Sequence, residues 1–343
     1  MIGERVRLAR EACGMTQTGL ASAAGVSQGT VSDIEHGRTM MPSETIVDSV
    51  ASATGFPKEF FYLGPLPDFP EGSFRKLRRG TVRTSDQVRA QVRHVAEVVQ
   101  RAEGCLPLPP VLLQAVRELP RGSADIEDLA VEVRSYLRVG DNDPIPNLTR
   151  SVERAGVVVV KMPVEMVDHD GFSVWPEYGL GGRPLIAISR DMPGDRARFT
   201  IAHELGHLLL HTARLKTDPK TAESEAHRFA GALIVPETAA RELIRVPVTL
   251  GTLMRVKAMT GASIAMLAKR AVDLQIIDHS HFVSLRKQLS ARGWHKNEPV
   301  EVGDERTLLI GKLLEAMGGD GSWSDRANRL SMQTFNLRSL VAG

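Results

Sequence analysis

Cysteine and long apolar runs are scarce in this sequence of 343 residues. The two cysteines, Cys13 and Cys105, are far apart and have no partner at metal-ligand spacing, which excludes a disulfide scaffold and predicts two reduced thiols. No apolar run approaches the roughly 20 residues of a membrane span. The N-terminal residues show no apolar signal core, so we expect a cytoplasmic location and no membrane partner.

Composition is ordinary for a globular protein, with 42% hydrophobic and 24% charged residues. The length favours two or three domains. The net charge of +2 is unevenly distributed: residues 1–63 carry five basic and seven acidic side chains, whereas residues 74–103 carry eight basic and three acidic ones. This basic run is either a solvated helix face or a surface that binds a nucleic-acid backbone.

The N-terminal segment predicts short helices separated by turns. Thr16, Ser27 and Ser43 are placed to cap three of these helices, because a side-chain oxygen there can accept a free amide of the first turn. A proline cluster at residues 65–70 precedes an expected helix over residues 83–103, and a second cluster at residues 107–110 precedes an expected helix over residues 126–137.

The central and C-terminal parts differ in their patterns. Three short β-branched or alternating segments, at residues 157–160, 171–175 and 183–189, predict a small sheet. Residues 250–259, 263–273 and 279–292 predict further helices, and beyond residue 298 the signal weakens. The fold class expected is mainly α with a small α+β domain.

An H-E-x-x-H motif runs from His203 to His207 in an apolar helix. Residues i and i+4 share a helix face, so both imidazoles can bind one ion at about 2.0 to 2.1 Å. Glu204 lies about 100° round the helix, where its carboxylate can take the proton of a metal-bound water that attacks a peptide carbonyl. The motif predicts a hydrolytic zinc centre (Zn2+), with non-haem iron as the alternative metal.

A catalytic zinc needs a third protein ligand and an open position for water. His211 lies about 12 Å along the helix axis from His203, so we expect it to support a ligand, to face the substrate or to lie on the surface. Helical phase favours Glu223 as the third ligand, with Glu225 as the alternative. His227, one turn after Glu223, either orients a metal-binding histidine or borders the apolar stripe.

Two segments of the chain resemble known families. HELGHLLLH at 203–211, followed by ESEAHRFAGALIVP at 223–236, resembles the ImmA/IrrE family of zinc metallo-endopeptidases. MTQTGLASAAGVSQGTVSDIEHG at 15–37 resembles the phage-repressor (XRE) helix-turn-helix. His227 departs from the family pattern, which more often has Asn or Asp there. The resemblance covers about residues 1–295 and implies site-specific cleavage of a repressor-type transcription factor.

The residue patterns and the resemblance together predict four domains. They are a helix-turn-helix DNA-binding domain of five helices at 1–64, a proline-punctuated helical linker at 65–145, a zincin-like metallopeptidase domain with a small sheet at 146–238, and a helical C-terminal region at 239–343.

The second helix of a helix-turn-helix motif enters the major groove, where Gln28 can pair bidentately with adenine. Other side chains of that helix would also reach base edges, whereas Arg10, Gln17 and Arg38 would contact phosphates. The acidic balance of the domain predicts weak binding by a monomer, so a homodimer or the basic run would have to compensate. The predicted DNA-contacting residues are Arg10, Gln17, Ser27, Gln28, Thr30, Asp33 and Arg38.

These features together predict a transcriptional regulator that binds a double-stranded operator and cleaves a repressor-type protein, or itself, as a switch. Self-processing would nick the connector at residues 65–72 or the one near Pro107. Two alternatives stay open. The helical domain could be a protein-interaction module, and the peptidase fold could be a non-proteolytic sensor of a ligand or partner.

Overall fold

A computed structural model describes residues 2–66, 82–118, 126–163, 166, 170–176, 182–211, 217–294 and 297–343. Its helices are α1 (Ile2–Ala12), α2 (Gln17–Ala24), α3 (Gln28–Glu35), α4 (Glu44–Thr54), a 3₁₀ helix (Lys58–Tyr62), α5 (Val82–Glu103), α6 (Gln114–Glu118), α7 (Ile126–Tyr136), α8 (Leu148–Arg154), α9 (Gly194–Leu210), α10 (Pro219–Ile234), α11 (Glu237–Leu243), α12 (Leu250–Thr260), α13 (Ile264–Asp273), α14 (His279–Ala291), α15 (Leu309–Gly318), α16 (Trp323–Leu330) and α17 (Thr334–Ala342). The strands are β1 (Val158–Lys161), β2 (Gly171–Val174) and β3 (Leu185–Ile188).

The chain forms two compact units. The first unit comprises Met1–Leu108, Val160–Arg190 and Thr307–Gly343, and the second comprises Pro109–Val159 and Asp191–Arg306. The predicted fold class, mainly helical with a small sheet, is confirmed. The four domain boundaries drawn from the sequence stay a prediction.

Side-chain caps begin the N-terminal helices where the sequence predicted them. Thr16, Ser27 and Ser43 accept backbone amides of the first turns of α2, α3 and α4. Gly25 and Gly55 end α2 and α4 in the left-handed conformation, with φ of 65° and 70°, which costs glycine least because it lacks a Cβ. The fifth predicted helix is the short 3₁₀ helix.

Arg5 joins α1 to α5 inside the first unit. Its guanidinium donates to both carboxylate oxygens of Glu97, at 2.8 and 2.6 Å, and to the Gly64 carbonyl. The same group lies 5.0 Å from the centre of the Phe60 ring. A buried charge is tolerated when it is paired and hydrogen-bonded, so Arg5 fixes the packing of α5 and is not available to DNA.

The C-terminal helices α15, α16 and α17 belong to the first unit, together with the N-terminal helices. Hydrogen bonds join α5 to the α16–α17 region. His94 Nε2 lies 3.1 Å from the Ser331 carbonyl oxygen, Arg101 donates to the Leu330 carbonyl at 3.1 Å, and the Asn336 amide donates to Gln91 Oε1 at 2.9 Å. The sequence signal was weak here because no motif marks a helix that packs on residues more than 200 positions away.

The sheet has the strand order β1-β3-β2. Strands β2 and β3 are antiparallel, and Gly171 pairs with Ile188 at one end and Val174 with Leu185 at the other. The strands β1 and β3 are buried throughout, which agrees with the β-branched and aliphatic runs that predicted them.

Helices α9 and α10 pack closely in the second unit. A Cβ at Gly206 would lie 2.9 Å from Phe229 Cδ1 and 3.3 Å from Ala226 Cα, so the absence of a side chain permits this approach. On α7, Arg134 donates to the Leu233 carbonyl of α10 at 2.6 Å. The first contact brings α10 close to α9, and the second joins α10 to α7.

An irregular segment, residues 297–306, ends the second unit. Glu298 accepts the amides of Ile264 and Ala265 at the start of α13, and Glu305 accepts those of Leu148 and Thr149 at the start of α8. A carboxylate at a helix N-terminus accepts hydrogen bonds from the free amides and interacts favourably with the positive end of the helix dipole. The segment therefore stabilises two helices of this unit.

Among the described residues, no helix has both the length and the apolar character that crossing a bilayer requires. Residues 74–81 of the basic run lie outside the described residues, as does the connector after Leu66.

Candidate metal centre and nucleic-acid interface

Helix α9 places the two motif histidines on one face. Their Nε2 atoms lie 3.0 Å apart, and Glu204, between them in sequence, is 3% exposed. The Glu204 side chain is therefore largely excluded from water.

Helix α10 brings Glu223 to this pair. Its Oε2 lies 3.3 Å from His203 Nε2, and its Oε1 lies 3.5 Å from His207 Nε2. Donors bound to one tetrahedral ion at 2.0 to 2.1 Å are separated by about 3.3 Å. The two nitrogens and the carboxylate thus have the spacing of a common coordination shell, and their chemistry suits zinc. The side chains present fit a metal ion.

His211 and Glu225 extend from this centre. His211 Nδ1 lies 2.9 Å from His207 Nδ1, and His211 Nε2 lies 2.9 Å from Glu225 Oε2. The His211 side chain is 11% exposed. It is therefore an inward-facing residue in contact with a motif histidine, and Glu225 is engaged with it.

His227 is exposed on α10. Its ring centre lies 4.7 Å from that of His203 and 5.3 Å from that of Phe199. His203, Glu223 and His227 offer donor atoms that all lie within 4.8 Å of one another. Helix α9 thus contributes two donor residues to the region, His203 and His207, and α10 contributes two, Glu223 and His227.

In the predicted DNA-reading helix, α3, a chain of hydrogen bonds links the exposed first residue to the buried side chain of the last residue. Gln28 Nε2 donates to Gln17 Oε1 at 2.9 Å, and Gln17 Nε2 donates to Glu35 Oε2 at 2.9 Å. Arg10 binds the same carboxylate through two nitrogens, at 2.6 and 3.0 Å. The side chain of Arg10 is therefore engaged within the domain, where it holds the network that orients Gln28.

The other predicted DNA-contacting residues lie nearby. Ser27 and Thr30 share a hydrogen bond between their hydroxyls at 2.9 Å. Asp33 pairs with Arg38 at 3.0 Å, and both side chains are substantially exposed. An exposed ion pair is worth little, so Arg38 can exchange Asp33 for a phosphate at small cost.

Two family models match the chain. Residues 152–272 match the IrrE N-terminal-like domain of the M78 peptidases, and residues 2–59 match a helix-turn-helix domain. The chain joins a helix-turn-helix domain to an IrrE-like peptidase domain. No curated protein matches the chain in sequence. The helix-turn-helix match spans α1 to α4, and the IrrE-like match spans α8 to α13, so it includes both helices of the candidate metal centre.

Within the IrrE-like domain, the structure brings together the residues that the motif singled out. Glu223, rather than Glu225, lies against His203 and His207. Sequence reasoning did not foresee the contact between His211 and Glu225. A usable signal was present, because consecutive packed helices bring the end of the first near the start of the second, and these residues occupy those positions.

Sequence reasoning also missed Glu35, which anchors both Arg10 and Gln17 in the helix-turn-helix domain. The signal in the sequence was an acidic residue at the end of the predicted DNA-reading helix. A carboxylate close to DNA requires a cationic partner, so a contact with a nearby arginine was to be expected. The expected phosphate contacts of Arg10 and Gln17 are predictions that no contact in the structure tests.

Proposed function

We propose that this protein is a cytoplasmic transcriptional regulator that binds an operator through its helix-turn-helix domain and acts as a zinc-dependent endopeptidase through its IrrE-like domain. The substrate is a repressor-type transcription factor or the chain itself. The observation that carries the proposal is the convergence of His203, His207 and Glu223, with the buried Glu204 between the two histidines in the sequence. A purely structural metal site has no need of a general base next to its ligands.

His203, His207 and Glu223 would hold the ion. Zinc, when bound, supplies a Lewis acid that acidifies water and polarises a carbonyl. Glu204 accepts the water proton as the oxygen attacks the peptide carbon, and it then delivers that proton to the leaving amine. Its burial strengthens these charge interactions because the local dielectric is low.

His211 and Glu225 act as positioning residues in this proposal. If His207 keeps Nε2 for the ion, its Nδ1 carries the proton and donates to His211 Nδ1. His211 then carries its own proton on Nε2 and donates to Glu225 Oε2. Both distances, 2.9 Å, suit such a relay. A partner at the distal nitrogen fixes the tautomer and raises the basicity of a metal-binding imidazole.

The DNA-binding part of the proposal rests on Gln28. It is exposed at the start of α3 and held by Gln17, so its amide is presented in a defined orientation. A pre-oriented amide suits bidentate pairing with adenine in the major groove. A second chain bound as a homodimer would double these contacts on a symmetric operator.

The test compares the zinc-loaded full chain with its E204Q variant. Each is incubated with a proteome-derived peptide library, and new N-termini are identified by mass spectrometry. The intact mass of each purified chain reports self-cleavage in parallel. We expect new termini, or a nick in the chain, with the wild type alone.

The DNA-binding part is measured on the same two preparations by selection from random duplexes. If both chains select the same DNA sequences and neither produces new N-termini, the result contradicts the peptidase assignment. The alternative that the peptidase fold is a non-proteolytic sensor would then stand. Enrichment of no sequence by either chain would contradict operator binding.

A further inference from the structure

The metal centre has a fourth protein donor within reach. Helix α9 supplies His203 and His207, and α10 supplies Glu223 and His227. Glu223 and His227 are four residues apart and therefore face the same way on α10. The donors of His203, Glu223 and His227 lie within 4.8 Å of one another, so the group around the centre holds three imidazoles and one carboxylate.

Little movement separates His227 from a coordinating position. Donors round one tetrahedral ion are about 3.3 Å apart, so the His227 donor, at 4.8 Å or less from those of His203 and Glu223, has to approach each of these two by at most about 1.5 Å. His227 is exposed, and an exposed imidazole changes rotamer without disturbing a packed core. Its ring already lies edge-on to that of His203, with 4.7 Å between the ring centres and 67° between the planes.

We propose that His227 is a displaceable fourth metal donor that closes the centre in the resting protein. This inference rests on the proposed zinc site. Three protein ligands leave a position for water, whereas four close it, as in structural sites. Imidazole is a strong zinc ligand, so His227 would hold the fourth position when it is bound. Hydrolysis needs that position for water or a substrate carbonyl, and His227 therefore has to leave it first. The peptidase would be latent until a substrate displaces this side chain.

The first test counts the histidines that respond to zinc. Long-range 1H–15N correlation spectra of the full chain, labelled at histidine, are recorded without metal and with one equivalent of zinc. Three side chains are expected to take up metal-bound ring-nitrogen shifts, and the H227N variant is expected to lose one of them. The H279N variant removes an exposed histidine of the same unit and should leave all three unchanged.

The second test uses acetohydroxamate, which has to occupy the position that His227 closes. We expect it to bind zinc-loaded H227N at least about tenfold more tightly than it binds the wild type or H279N, because no protein donor has to leave. If His227 only supports the His203 ring, two histidines respond to zinc and hydroxamate affinity does not rise, which overturns the inference while the zinc site stands. Absence of stoichiometric zinc binding by the wild type would overturn both proposals.

Discussion

At the residue scale, the two glutamates of α10 have different partners although they are two positions apart. Glu223 lies against the Nε2 atoms of His203 and His207, whereas Glu225 lies against His211. Residues i and i+2 do not share a helix face. In the proposed site, Glu223 therefore binds the metal, and Glu225 holds His211, which in turn contacts the ligand His207.

Variants of these two residues separate the roles. E223Q removes a carboxylate from the coordination shell, whereas E225Q removes a partner of His211 and should weaken zinc binding by about 10 to 100-fold. We expect the larger loss for E223Q, measured by competition with a chelator on the full chain. A larger loss for E225Q would assign the ligand to Glu225.

His94 is a second residue whose surroundings set its chemistry. It is fully buried, packs against Phe56 and Phe60, and has its Nε2 3.1 Å from the Ser331 carbonyl. Burial disfavours the charged imidazolium and lowers the pKa of His94 to about 4. His94 is therefore neutral in the folded protein at neutral pH.

This lowered pKa predicts a loss of stability in mild acid. Below the unfolded-state pKa of about 6.5, the unfolded chain binds a proton that folded His94 does not accept until pH 4, so stability falls as pH drops through this window. The loss at pH 5 is about 2 kcal/mol from this residue. Urea unfolding at pH 7 and pH 5 measures it, and H94Q, which keeps a donor but does not titrate, should show a smaller change. Equal changes in both chains would contradict the assignment.

At the element scale, the pairing of α9 with α10 decides the candidate site, because α9 carries His203 and His207 and α10 carries Glu223. The close approach at Gly206 sets the distance between these helices. Interiors are packed to near-crystalline density and do not absorb an added methyl group freely.

Gly206→Ala therefore tests the helix pairing. Overpacking against Phe229 and the Ala226 backbone costs about 1 to 3 kcal/mol, which exceeds the helix-propensity gain of at most about 1 kcal/mol. We expect a lower midpoint of thermal unfolding for the metal-free chain and weaker zinc binding.

The matched control is Gly231→Ala, which is buried on α10. A Cβ there meets Arg270 Cδ at an ordinary 3.5 Å, so propensity should dominate and stability should be unchanged or higher. Equal effects of the two substitutions would show that the spacing of α9 and α10 does not depend on Gly206.

At the scale of the whole molecule, the two ends of the chain fold into one unit. Helices α15 to α17 pack with the segment that contains the helix-turn-helix domain. Leu337 on α17 is fully buried, whereas Phe335 two residues earlier is 69% exposed. The stability of the DNA-binding part is therefore expected to depend on the C-terminal 37 residues, Thr307–Gly343.

Leu337→Ala tests this dependence. Removing a buried leucine side chain costs about 2 to 5 kcal/mol, and hydrogen exchange of the α1 to α4 amides should accelerate in proportion. Phe335→Ala should leave exchange nearly unchanged, because little buried surface is lost. Unchanged exchange in α1 to α4 for Leu337→Ala would mean that the C-terminal helices stabilise only themselves.

Local sequence determined much of this molecule. The caps at Thr16, Ser27 and Ser43, the three strands and the His203–His207 pair all follow from interactions within a few residues, so a pattern of that length was sufficient to predict them. Helical phase also favoured Glu223 over Glu225, because a buried stripe on α10 fixes which side chains turn toward α9.

Tertiary structure decided the rest. Nothing within a few residues of Arg10 shows that Glu35 engages it, nothing near His211 shows that Glu225 lies 2.9 Å away, and nothing in the last 37 residues shows that they pack with α5. These contacts join residues from 14 to more than 200 positions apart. Their partners depend on how separate helices pack, and periodicity within one helix shows which face is buried but not which helix covers it.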